Sequence, residues 1–273
     1  MTSPLQILDG PMGTELNARG VPTPLPGWSA HALQTNPEIV QEVHRDYARA
    51  GATIHTTNTF RTHARQFPDN WQSLTAQAVD LARAGIEDFA GQVAGSVSPL
   101  EDCYRPDLSP AEPRMEHRAM ARCLVESGVD LLLVETFSHR GEALIATQEA
   151  IDTGLPTWLS LTAGPETNLL SMEEIRSTAE HAVGLGIEAI MVNCIPAVAV
   201  GQYLEVLRDL KIAFGAYGNT GYVHDTTGWQ SCDLDASTYQ KFAQQWVEKG
   251  ATILGGCCGT GIDHIQALAA IKT

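Results

Sequence analysis

Eight times along its 273 residues the chain repeats one cycle: a short apolar run, a turn, and a longer amphipathic segment. The apolar runs are QILDG (6–10), ATIHTTNTF (52–60), QVAGSVSP (92–99), DLLLVETF (130–137), TWLSLTA (157–163), EAIMVNC (188–194), IAFGAYGN (212–219) and ATILGGCC (251–258). Short and often β-branched, they have the composition of parallel strands buried on both faces. The segments between them carry helical periodicity. In NPEIVQEVHRDYARAG, Ile39, Val40, Val43 and Tyr47 fall at helical spacing, and the closing glycine suits the position just past a helix. TAQAVDLARAGIEDFAG, HRAMARCLVESG, RGEALIATQEAIDTG, SMEEIRSTAEHAVGLG, AVGQYLEVLRDL, DASTYQKFAQQWVEKG and GIDHIQALAAIK follow the same logic. Within them SMEE reads as a capping box, with Ser171 as cap and Glu174 three residues on. Strands alternating with helices in this way predict an α/β protein, a single (β/α)8 TIM barrel forming one domain over residues 1–273. The competing layout is a doubly wound open sheet, but no GxGxxG follows the first run.

A net charge of −15 offers no basic patch for phosphates, which excludes nucleic acid as a partner and disfavours anionic membrane surfaces. A cationic or zwitterionic substrate is compatible with that charge, and so is an acidic surface that serves only solubility. The N-terminal MTSPLQILDG lacks the basic and long apolar regions of a signal peptide. No apolar run approaches the roughly 18 residues of a membrane span. The expected location is therefore the cytoplasm, where thiols stay reduced. Cys103, Cys123, Cys194, Cys232, Cys257 and Cys258 are then expected to serve packing, metal binding or catalysis rather than a disulfide frame.

In a barrel of this kind the chemistry sits at the C-terminal ends of the strands. Here those ends bring Asp9, Glu135, Cys194, Cys257 and Cys258 to one mouth. Cys194 closes the sixth run, and Cys257 and Cys258 close the eighth, within GGCCG. Gly255, Gly256 and Gly259 give that segment backbone freedom. Three thiolates suit Zn²⁺, with a fourth position left for water or substrate. Plain packing of small residues is the alternative, and a vicinal disulfide a further one. A four-cysteine structural site would need Cys232, in the loop after the seventh run, whereas Cys103 and Cys123 read as loop and helix-packing residues. A zinc ion with three thiolates is suited to activating a substrate thiol for alkylation, more than to activating water.

DGPMGTEL (9–16), WSAHAL (28–33), VHRDYARAGATIHTTNTF (43–60), VET (134–136), VNC (192–194) and GGCCGT (255–260), in that order, closely resemble the homocysteine S-methyltransferase family. That family includes the betaine and S-methylmethionine methyltransferases and the homocysteine module of cobalamin-dependent methionine synthase. The resemblance spans nearly the whole chain and implies a (β/α)8 barrel with zinc held by Cys194, Cys257 and Cys258. It implies homocysteine and a small methyl donor as substrates, with no catalytic side chain beyond the zinc-activated substrate thiolate. Glu135 is expected to bind the substrate α-ammonium, and Asp9 either shares that task or shapes the turn at Asp9-Gly10. Gly10 would lie near the carboxylate, and Asn219 would orient the metal region or serve as a turn residue. Trp28, Phe60 and Tyr217 are candidates to face a cationic donor by cation–π attraction, or are packing residues.

Three stretches depart from the family pattern. Tyr217-Gly218-Asn219 lacks a proline common in relatives, Gly261-Ile262-Asp263-His264 replaces a TPEH-like stretch, and SVSPLEDCYRPD lacks a GPYG-type loop. These changes fall on the expected donor side. With no segment for folate or corrinoid binding, the expected reaction is methyl transfer from a small onium compound (S-methylmethionine, a related sulfonium or a betaine) to homocysteine, forming methionine. The alternative is a stand-alone subunit of a split methionine synthase that takes its methyl group from a corrinoid protein. A binding protein with a structural zinc is the non-enzymatic alternative.

Overall fold

The computed structural model describes residues 5–224, 228–231 and 234–271, and of 222–224 and 228–231 the backbone alone. Strand β1 (Gln6–Ile7) leads through α1 (Met12–Ala18), a 3-10 turn at Trp28–His31 and α2 (Ala32–Thr35) into α3 (Pro37–Arg49). Then follow β2 (Ile54–Thr56), α4 (Trp71–Gly85), β3 (Gln92–Val97), α5 (Arg114–Glu126), β4 (Leu131–Phe137) and α6 (Arg140–Ile151). The chain continues with β5 (Thr157–Leu161), α7 (Met172–Leu185), β6 (Ala189–Pro196), α8 (Ala197–Leu207) and β7 (Ala213–Asn219). A hairpin of β8 (Gly221–His224) and β9 (Gly228–Ser231) precedes α9 (Ala236–Glu248), β10 (Ile253–Gly256) and α10 (Ile262–Ala269). No described helix is long and apolar enough to cross a membrane.

Eight of the strands lie side by side in the order β1-β10-β7-β6-β5-β4-β3-β2, every neighbour parallel. The two ends of that series meet: Leu8 bridges Ile54, and the Asp9 N–H donates to the Ile54 carbonyl at 2.9 Å. The sheet therefore closes into a (β/α)8 barrel, and the open-sheet layout is excluded. The capping box forms as the sequence predicts, with Ser171 and Glu174 each bonded to the other's backbone N–H. β1, β2, β3, β5 and β10 stop short of the ends of their apolar runs, whose last residues continue into the mouth of the barrel, whereas β6 extends past its run to Pro196.

Alternation decides what fills the inside. Leu131 and Leu133 of β4, Ala189 and Met191 of β6, and Ile253 of β10 join Leu8, Ile54, Ala94 and Trp158 in an interior cluster. Their neighbours Leu132, Val134, Ile190, Val192 and Leu254 face outward and meet the helices in the larger outer core. Both clusters are dry, so the barrel is a packed body and leaves its cavity to the loops.

Three histidines break the apolar pattern near β2. His44 on α3, His55 on β2 and His63 are buried, and none of their ring nitrogens has a hydrogen-bond partner among the described residues. Asp9 Oδ2 lies 3.9 Å from His44 Nδ1, and His55 stands beside the pair. Burial pushes His44 and His63 down to about 3 and His55 down to about 4. The unfolded chain takes up these protons below its ordinary histidine value of 6.5, whereas the folded chain does not until near 3–4. Unfolding therefore takes up protons between those limits, and stability falls as pH drops below about 6.5. Urea unfolding at a series of pH values between 7 and 5 measures this directly. We expect His44→Gln and His63→Gln each to reduce the proton uptake on unfolding by up to about one; an unchanged slope in both variants would contradict the buried neutral state.

Candidate active site

The mouth holds a cavity of about 440 Å³ whose lining includes Asp9, Glu135, Cys194, Tyr217, Cys257 and Cys258 from the strand ends and Trp28, Phe60, Arg61, Cys103 and Tyr104 from the connections. Nine of the ten expected site residues line it. Gly10 is among them, its α-carbon close against the Tyr47 ring. The tenth, Asn219, is buried at the end of β7 without lining the cavity, and both atoms of its amide lack a hydrogen-bond partner among the described residues.

The sulfurs reach one point because β6 breaks its own alternation. Asn193 continues the inward series of Ala189 and Met191, yet Cys194, the next residue, also joins the interior cluster. Its backbone is left-handed, at φ 52°, and the register with β7 shifts between Asn193 and Pro196. Two successive side chains thereby face inward, as in a bulge. β4 does the same one residue after Glu135, where Thr136 has φ 64° and the register with β5 shifts. Asn193 links the two irregularities: its amide donates to the Thr136 hydroxyl at 2.8 Å and accepts from Ser160 at 2.8 Å.

On β10 the glycines work differently from the sequence expectation. Only Gly259 uses a left-handed backbone, at φ 82°. Gly256 is required by close approach, since a Cβ there would come within 2.2 Å of Thr260 Oγ1. The result sets the Cys194, Cys257 and Cys258 sulfurs within 4.8 Å of one another, a group able to hold a metal ion. Cys194 and Cys257 are joined as a disulfide, across β6 and β10 rather than between the vicinal pair, with their α-carbons 5.7 Å apart. This departs from the expectation that all the thiols stand free. Sulfurs converged for a cation have no charge to hold them apart from bonding when oxidised. Burial pushes the remaining Cys258 thiol up to about 11, so a thiolate at that place needs a cation beside it. Cys103 lines the cavity wall, with burial pushing its thiol up to about 12, and Cys123 lies on α5. Cys232 lies outside the described residues.

Glu135 is buried and doubly bonded. Its Oε1 accepts from the Ser96 hydroxyl at 2.6 Å and its Oε2 from the Tyr217 hydroxyl at 2.9 Å. Burial raises its carboxyl above the usual range, and the two hydroxyls hold it back. Tyr217, expected on the donor side, is thus tied to this carboxylate. Asp9 accepts the Thr56 N–H at 2.9 Å, and burial raises its carboxyl well above normal, with the Glu135 charge adding to the effect. Asp9 thus ties β1 to β2 and also lines the cavity. Two desolvated carboxylates in one cavity favour a cation between them. Trp28, itself at φ 47°, meets Phe60 edge to face at 6.0 Å. The sequence reading passed over Arg61, Ser96, Asn193 and Tyr104. The only signal for Arg61 was a lone cation directly after the NTF of the second run.

Comparison with known proteins gives a consistent result. Residues 6–271 match the model of the family described as homocysteine S-methyltransferase. The chain is 32% identical to the homocysteine S-methyltransferase of Escherichia coli strain K12, over 97% of this chain and 94% of that protein. It is 30% identical to homocysteine S-methyltransferase YbgG of Bacillus subtilis strain 168, over 98% and 95% respectively. Its fold is similar to the crystal structure of the E. coli homocysteine methyltransferase MmuM in metallated form, with a TM-score of 0.81, 28% identity and coverage of 98% and 96%.

The hydrogen bonds to Glu135 set its acidity. Ser96→Ala and Tyr217→Phe each remove one neutral donor, so the Glu135 carboxyl midpoint should rise in both variants, by about one pH unit for a bond of ordinary strength. Isotope-edited infrared or carbon NMR titration of that carboxyl reads the shift, and a midpoint unmoved in both variants would contradict the geometry.

Proposed function

This chain belongs to the homocysteine S-methyltransferase family, and from that membership we propose that it transfers a methyl group from a small onium donor to the thiol of homocysteine, forming methionine. The observation that carries the reading is the convergence of three sulfurs and two buried carboxylates on one cavity. Cys194, Cys257 and Cys258 fit a zinc ion: they are three soft ligands from a pre-shaped backbone, and the buried Asn219 amide is unpartnered. When bound, a zinc ion held by three thiolates lowers the pKa of a substrate thiol and keeps its sulfur electron-rich.

The chain's own residues do the remainder. Glu135, steadied by Ser96 and Tyr217, takes the α-ammonium of homocysteine, and Asp9 supplies a second negative charge. The Gly10 backbone stands near the amino-acid end. The barrel mouth excludes bulk water and aligns sulfur with methyl, a contribution that reaches several kcal/mol in aligned reactions. In the transfer the homocysteine sulfur forms a bond to the methyl carbon while the carbon–sulfonium or carbon–ammonium bond breaks. The bonding pair leaves with the donor, which departs as a neutral thioether or amine. No acid is needed for that departure. Trp28 and Phe60 offer the aromatic faces for the cation.

Two measurements test the proposal. Metal analysis of the purified protein under reducing conditions should find about one zinc per chain; Cys194→Ser, Cys257→Ser and Cys258→Ser should each lose most of it, while Cys103→Ser and Cys123→Ser retain it. Zinc retained by all three site variants would remove the metal from the mechanism. Incubation of the zinc-loaded protein with homocysteine and S-methylmethionine, dimethylsulfoniopropionate, glycine betaine or methylcobalamin should yield methionine from at least one onium donor. Methionine formed from methylcobalamin alone would assign the chain instead to a corrinoid-dependent system.

A further inference from the structure

Among the described residues Arg61 is the only lysine or arginine that lines the cavity. It lies in the segment after β2, next to Phe60, and its guanidinium stands 5.1 Å from the centroid of the Phe60 ring. Its Nη1 donates to the carbonyl of Glu101 at 2.8 Å and to that of Pro99 at 3.5 Å. Those carbonyls belong to the loop after β3, where the sequence departs from the family pattern. Nε and Nη2 make no hydrogen bond among the described residues, and no described carboxylate lies within ion-pair distance of the guanidinium. Asp102, the rim carboxylate nearest in sequence to those anchors, accepts the Tyr104 N–H at 2.9 Å instead. In a chain of net charge −15 a partly buried arginine left without an anion is unusual.

This arrangement bears on which onium compound enters. A guanidinium already faces Phe60, so a bare sulfonium or ammonium brought to the same wall meets a like charge in a partly desolvated site. A donor that carries its own carboxylate reverses the sign: the anion pairs with Arg61, and the onium end is left to the aromatic rings and the sulfur centre. The backbone anchors engage Nη1 and leave Nε and Nη2 without a partner among the described residues, the pair of donors that a bidentate carboxylate takes. On the proposed reading the ammonium of homocysteine has its own partners in the carboxylates of Glu135 and Asp9, which line the same cavity. Resting on the onium reading above, we infer that Arg61 is the anchor for the donor's carboxylate, and that the protein selects zwitterionic donors over onium compounds without a carboxylate.

The test uses the zinc-loaded protein with S-methylmethionine and glycine betaine as carboxylate-bearing donors and trimethylsulfonium as a donor without one. Arg61→Met removes the charge with little change of volume, and Arg61→Lys keeps the charge while losing the fork. Arg61→Met should raise KM for the carboxylate-bearing donor that the wild type uses by about 10- to 100-fold. It should leave the KM for homocysteine within about two-fold and leave or lower the KM for trimethylsulfonium. Arg61→Lys should fall between. Calorimetric titration without homocysteine gives a second readout: the wild type should bind the zwitterion more tightly than trimethylsulfonium, and Arg61→Met should abolish the difference. Equal loss with both donor classes, or a loss confined to homocysteine, would overturn the role of Arg61 while leaving the onium reading intact. Wild-type transfer from methylcobalamin alone would overturn the onium reading and this inference with it.

Discussion

The bond from the Asn193 amide to the Thr136 hydroxyl joins the two places where the barrel gives up its alternation. A regular strand can offer only every second side chain to the mouth. On β6, Asn193 and Cys194 both turn inward, and on β4 the irregularity at Thr136 comes at once behind Glu135. Left-handed backbone at Thr136 and Cys194 accompanies both, at a cost of about 1–3 kcal/mol per residue for non-glycine side chains. A β-branched threonine is a poor occupant of that region. It is held there by a hydrogen-bonded chain from Ser160 through Asn193 to Thr136, buried throughout. The strain therefore sits on the rigid strands, where the surrounding core over-determines it, and the ligand positions inherit that rigidity.

The same mouth is also held in electrostatic tension. Asp9 and Glu135 are desolvated, and the Asp9 carboxyl also feels the charge of Glu135. The remaining thiol, Cys258, is raised by the same burial. A nearby cation favours the charged form of each of these groups, and in the proposed reaction two different cations arrive: a metal at the sulfurs and an ammonium at the carboxylates. The disulfide between Cys194 and Cys257 is another outcome of the same convergence, since sulfurs brought this close without a cation lie within bonding reach. Binding energy at the carboxylates is then available for placing the homocysteine sulfur, because the ammonium enters a site already shaped for it.

The barrel was legible because its signal is repeated: eight apolar runs, each followed by helical spacing, leave few other arrangements. The cysteines were legible because strand ends converge in this fold, whatever the loops do. What escaped has physical reasons. The segment from Met12 to Thr35 folds as α1, a 3-10 turn and α2, all too short to show a period and interrupted by VPTPLPG. Helix α4 begins at Trp71, ahead of the TAQA stretch where its periodicity becomes clear. The hairpin β8–β9 follows the seventh strand without an Asn-Gly or Asp-Gly signal. Tyr217 reads from its residue type as an aromatic face for a cation. Its pairing with Glu135 depends on the spacing between β4 and β7 across the interior, which a linear pattern does not contain.

These two kinds of legibility mark a division in the molecule. The acceptor side is carried by strand ends: Asp9, Glu135, Cys194, Tyr217, Cys257 and Cys258 all lie on or directly after β1, β4, β6, β7 and β10. Other lining residues are carried by connections: Trp28 by the turn before α2, Phe60 and Arg61 by the segment after β2, Cys103 and Tyr104 by the loop after β3. Arg61 is fastened to that loop through backbone carbonyls, so its position follows the loop's path rather than the identity of the loop's side chains. A change in the loop can therefore re-aim the cation without moving a sulfur. A change in the strand ends bears directly on the sulfurs, because Asn193, bonded to Thr136, immediately precedes Cys194 at the irregularity of β6. In the proposed reaction the barrel thus separates the activation of a thiol, which demands fixed geometry, from the choice of methyl donor, for which a loop and one arginine are the proposed determinants.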